Sequence, residues 1–112
     1  MAIATINEIR AIGNLDSQVE DSIITVNLAS ACRELQSLLN MTDYSSLDIT
    51  DMKECEACLT MARLVSLFTI RFKFVEKTGI LEDVKNLKEY WEARAMKLIS
   101  KYKMAKIRLY TI

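Results

Sequence analysis

The sequence predicts an all-α fold: a small bundle of about four helices, one short and three long, with an extended C-terminal tail. Three observations predict it. The 112 residues include no proline and only two glycines, Gly13 and Gly79. These residue types punctuate turns, and all-β folds use many of them. Apolar residues recur at steps of three and four through most of the chain, the period of one helix face. Finally, 51% of the residues are apolar and 27% charged, a balance that folds rather than stays disordered. The length suits one core. Residues 1–103 are therefore read as one helical domain and 104–112 as a docking tail.

The first helix covers about 6–12. Thr5 followed by Glu8 has capping-box spacing, and Gly13 stands where a left-handed C-cap residue belongs. The second runs from about 18 to 39, opened by a second such pair, Ser17 with Glu20. Its seam is Ile24, Leu28, Ala31, Leu35 and Leu38, widened by Val19, Ile23 and Leu39. Residues 40–49 form a polar connection in which Tyr44 and Leu47 tuck inward.

The third helix starts near Asp51, with Thr50 or Asp48 as its cap, and ends at Thr78-Gly79. Met52, Cys55, Leu59, Ala62, Val65 and Ile70, joined by Leu64 and Leu67, spread apolar groups around more than half of it. Such a helix is central and covered on several sides. Phe68, Phe72 and Phe74 are the candidates for cover by another subunit. The fourth helix runs from about 82 to 102 or beyond, with Val84, Leu87, Trp91, Ala95, Leu98 and Tyr102 as its seam. The tail from 103 to 112 could extend this helix, but residues 107–112 (IRLYTI) alternate β-branched or aromatic side chains with polar ones and read better as a short extended strand. With no other strand in the chain, this segment suits an edge on another molecule.

Net charge is zero but unevenly spread. Residues 1–56 hold ten acids and three bases, and 57–112 hold five acids and twelve bases, or about −7 against +7. No acid follows Glu92, whereas Arg94, Lys97, Lys101, Lys103, Lys106 and Arg108 are all basic. Cations suit a helix C-terminus; a molecule with one acidic and one basic end also suits head-to-tail association. Residues 1–12 carry no basic-then-apolar leader pattern, and no apolar stretch approaches about 18 residues, so neither a signal peptide nor a membrane span is expected.

Candidate chemistry is sparse. Histidine is absent, which removes the commonest general base and metal ligand. Two isolated glycines cannot build a phosphate loop. Cys55 and Cys58 have C-x-x-C spacing without the strand pattern of a thioredoxin-like motif. Only Cys32 and an acid such as Glu56 or Asp51 could complete a zinc site with them; they read as small hydrophobes in packing. The pairs Glu20-Asp21, Glu54 with Glu56, and Glu82-Asp83 read as acids in the first turn or two of a helix, where its dipole favours them. No catalytic, cofactor-binding or metal-binding residue is assigned, no cofactor is expected, and catalysis is not.

Six features form a series: TINEIRAIGNL from Thr5, ACRELQSLL from Ala31, a loop with Tyr44, ECEACLTMARL from Glu54, Thr78-Gly79-Ile80, and AMKL from Ala95. Together they resemble the head–tail connector (adaptor, or neck) proteins of tailed bacteriophages. The resemblance spans about residues 5–103. It departs at residues 68–74, where family members often carry a polar linker and this chain stays aromatic and basic. The resemblance implies a structural virion protein: a homo-oligomer, a ring of twelve copies beneath the portal protein. A downstream neck or tail protein would bind its far side, and DNA would only pass through the channel. Its place would be the virion neck, after assembly in the host cytoplasm, with no membrane partner. Arg94, Lys97, Lys101, Lys106 and Arg108 are then expected to contact the acidic portal, with Leu109, Tyr110 and Ile112 adding an extended contact. The alternative is a small regulatory or nucleic-acid-associated helical dimer. A thiol or metal protein is a third reading.

Overall fold

The structure, a computed structural model, describes residues 2–15, 17, 19–72 and 78–111, and side chains outside 68–85 and 103–111. It is all-α. Four helices follow in order: α1 (Ile6–Gly13), α2 (Asp21–Leu39), α3 (Ile49–Phe72) and α4 (Thr78–Thr111). No strand occurs among the described residues. The chain measures 55 × 26 × 19 Å, and the long axis matches α4, whose 34 residues span about 50 Å at 1.5 Å per residue.

The capping box of α1 forms as its spacing predicts. Thr5 Oγ1 accepts from Glu8 N at 3.2 Å, and Glu8 Oε1 accepts from Thr5 N at 2.9 Å. The C-cap is a correction: Gly13 is the last helical residue, and Asn14 takes the left-handed position at φ 50°. Asparagine tolerates that conformation because its short side chain bonds locally. Gly13 serves another purpose. A Cβ there would lie 2.9 Å from both Cγ and Cε of the buried Met61, so the missing side chain lets α1 approach α3. Gly13→Ala would gain about 1 kcal/mol of helix propensity and lose about 1–3 kcal/mol to overpacking. We expect a net loss near 1 kcal/mol in urea denaturation, reversed in sign when the same change is made beside Met61→Ala.

The α2 start is also a correction. The helix begins at Asp21, with Glu20 at the N-cap position and no side-chain cap bond; the Ser17–Glu20 box is not used, and residue 18 lies outside the described residues. The reason is tertiary. Arg10 Nη2, from α1, donates to Val19 O at 2.6 Å and to Asp21 Oδ1 at 2.5 Å. Val19 O is thereby engaged outside the helix, and the first turn closes on Glu20 O instead. The expected seam is buried at Ile24, Leu28, Ala31 and Leu35, joined by Cys32; at the last turn Leu39 is buried and Leu38 half-buried. Asn40, at φ 56°, ends the helix. Tyr44 is buried and Leu47 partly so, as the connection predicts.

Asp48 caps α3 by accepting from Asp51 N at 3.1 Å, so the helix starts at Ile49, slightly earlier than expected. Every residue from 55 to 62 is buried, more than two full turns. Helix α3 is thus the central helix, packed by α1, α2 and α4 of its own chain. Residues 73–77, including Phe74, lie outside the described residues. Thr78-Gly79 belongs to the first turn of α4 rather than the end of α3.

Helix α4 buries one narrow stripe, Trp91, Ala95 and Ile99, with Leu98 and Tyr102 partly covered. Leu87, expected in that seam, is 45% exposed. The expected strand at 107–112 is replaced: the backbone stays helical to Thr111, because helix propagation needs no second strand to satisfy its N–H and C=O groups. Ile112 lies outside the described residues.

Candidate functional site

The strongest candidate is the basic end of α4 and the collar from which it leaves the bundle. Helices α3 and α4 run antiparallel. Arg94 Nη2 meets Glu54 Oε1 at 2.5 Å, and further along Tyr102 Oη donates to Asp51 Oδ2 at 2.7 Å, with Lys101 Nζ at 3.3 Å from the same oxygen. Only Ile49 and Thr50 precede Asp51 in α3. Residues 103–111 continue the α4 axis for about 13 Å with almost no α3 beside them. The tail is therefore a helical arm. Its bases, Lys103, Lys106 and Arg108, leave from a collar containing Asp48 and Asp51.

The electrostatics of the collar follow from these contacts. The hydrogen bond from Tyr102, with help from Lys101, holds the Asp51 carboxyl below the usual carboxylate range. Burial first, then Asp51, pushes the Tyr102 phenol up to about 12. The Asp51 contribution is thus present above the unfolded carboxylate value and is lost as pH falls through the lowered one. The Tyr102 contribution is present in full below its ordinary 10.0 and is lost as pH rises through about 12. Tyr102 ring signals in NMR should hold steady across that window and change at both ends, and Asp51→Asn should abolish the acidic change.

The uneven charge of the sequence is partly consumed inside the molecule. Among the described residues, three ion pairs join an acid before residue 57 to a base after it: Glu34–Arg63, Glu54–Arg94 and Asp51–Lys101. Of the expected docking residues, Arg94 is half-buried, bonded to Glu54, and 5.3 Å over the Trp91 ring, which Tyr90 meets edge-on at 5.1 Å. Lys97 is exposed and Lys101 leans on Asp51 with 62% of its side chain exposed. Lys106, Arg108, Leu109 and Tyr110 have their backbones on the arm, and their side chains lie outside the described ones; the same holds for Phe68 and Phe72 on α3.

No family model, curated protein or solved structure matches this chain.

Two features escaped the sequence reading. One is an outward apolar set on α4, namely Leu87, Tyr90 and Met96, at 45%, 53% and 39% exposure. Helical period alone places Leu87 inside; its neighbours in space decide otherwise. The other is Glu56, expected as an acid of the first turn or two and found fully buried. Its Oε1 accepts from Ala4 N at 2.7 Å, and both oxygens lie 3.0 Å from Ile3 N. Tyr44 Oη donates to its Oε2, and Cys32 Sγ lies 3.0 Å from the same hydroxyl. Burial, Cys32 and Glu56 all push the Tyr44 phenol upward. The signal was present: Glu56 stands alone in the otherwise uncharged run from Cys55 to Ala62.

The three cysteines are free and buried. Burial pushes the thiols of Cys55 and Cys58 up to about 12 and about 11, so neither supplies thiolate at neutral pH. Alkylation of the native protein at pH 7 should be slow at both and fast after unfolding, as read by mass spectrometry. Among the described residues no three His, Cys, Asp or Glu gather as a metal site, and no helix is long and apolar enough to cross a membrane.

Proposed function

We propose that this chain is a structural assembly subunit that works by docking its α4 arm on a larger acidic partner. The observation that carries the reading is the arm itself. Residues 103–111 continue as a helix beyond the start of α3, hold three bases and no acid, and stand on a base pinned by Asp51 and Tyr102. Clustered cations on a preorganised helix give attraction at long range and orientation at short range. The exposed Tyr90 and Met96 add residue types favoured at protein interfaces.

The connector resemblance makes the proposal concrete. The chain would form a twelve-membered ring beneath a portal protein in the neck of a tailed-phage virion, with a further neck or tail protein on its far side. Light scattering and negative stain of the purified chain test it, alone and mixed with an acidic portal ring. Ring-sized particles are expected, with portal attachment weakening as salt rises. A monomer or dimer that ignores the portal and binds nucleic acid in a salt-sensitive manner would replace the proposal with the regulatory, nucleic-acid-associated reading.

A further inference from the structure

The N-terminal segment before α1 has no regular secondary structure, yet Ala4 is buried and Ala2 and Ile3 pack against the core. The hydrogen bonds that hold residues 3 and 4 end on a single side chain, the Glu56 carboxylate. That carboxylate also accepts from Tyr44 of the α2–α3 connection, whose hydroxyl covers Cys32. Among the described residues no lysine or arginine bonds Glu56. Its neighbours are two backbone amides, a phenol and, through that phenol, a thiol. Two irregular segments, one 52 or more residues from Glu56 and the other 12, therefore share one acceptor.

We infer that Glu56 is a latch: residues 2–5 form a strap, and strap and Tyr44 open together as one unit, giving access to Cys32 while the helices stay folded. The physical reason is that a segment without ladder or helix bonds opens at low cost. Here its opening also admits water to the carboxylate, and that water competes with the Tyr44 hydroxyl for Oε2. The coupling runs in both directions because both segments bind one carboxylate, with Ile3 N and Tyr44 Oη meeting at Oε2.

Glu56→Gln in the full chain tests this, since the amide keeps the shape and cannot accept from all three donors. Circular dichroism first reports that the helices persist. Hydrogen exchange at the Ile3 and Ala4 amides and alkylation of Cys32 should then each rise roughly tenfold or more, as loss of a charge-assisted bond implies. Cys55, Cys58 and the α3 amides should keep their protection. An unchanged strap, or a rise in one readout without the other, overturns the latch. If the variant loses its helices, native-state exchange of the unaltered protein in low denaturant decides. A shared opening of Ile3, Ala4 and Cys32 below the global one supports the latch, and separate openings overturn it.

Discussion

Glu56→Ala is expected to destabilise the protein by about 3–5 kcal/mol in chemical denaturation. The substitution removes the acceptor of two backbone amides and of the Tyr44 hydroxyl at a position with no solvent exposure. Each buried donor left unsatisfied costs about 1–3 kcal/mol, and the three share one cavity, so their costs do not simply add. Against a total stability of about 5–15 kcal/mol for a domain of this kind, the loss is large. Glu54→Ala is the control. It lies two residues away on α3, with its carboxylate in an ion pair to Arg94 at which about a third of each side chain remains exposed. Such a pair contributes about 1 kcal/mol or less. Equal losses for the two variants would show that the Glu56 donors find water or other acceptors.

Removing residues 104–112 should leave stability within about 1 kcal/mol of the full chain and reduce docking to the acidic partner by about a hundredfold or more. The first half of this expectation rests on register. Tyr102 and Lys101 already reach Asp51, and α3 has only two residues beyond it, so the deletion spares every described contact that closes the bundle. The second half rests on charge and direction: the deletion takes away Lys106 and Arg108 and the helix that aims them. Neutralising Lys103, Lys106 and Arg108 with glutamine separates these contributions. It should slow association and flatten its salt dependence while leaving the arm helical. A truncated chain that still attaches to its partner would dismiss the docking role.

What could be read from the residues depended on whether neighbours in the chain or neighbours in space decided the outcome. The α2 seam was legible because Ile24, Leu28, Ala31 and Leu35 repeat with the helix period and nothing competes for that face. Thr5 and Glu8 cap α1 as their spacing implies, since both partners lie within one turn. The identical spacing of Ser17 and Glu20 misled, because Arg10 from another helix captures Val19 O and moves the start to Asp21. The alternation in IRLYTI suggested a strand. A strand needs a partner, whereas α4 could extend residue by residue. The basic end of the site was visible in composition. Its acidic collar was not, because Asp51 and Tyr102 stand 51 positions apart.

The burial of every residue from 55 to 62 by helices of the same chain bears on the order of events in the life of the protein. A subunit whose central helix needed a neighbour would fold only as fast as it met one. Here residues 55–62 of the central helix are covered before any encounter, so refolding should be first order, with a rate independent of protein concentration. Under the proposed docking role, folded single copies can then accumulate as a reserve, and the timing of assembly passes from the folding reaction to the arrival of the surface on which they assemble.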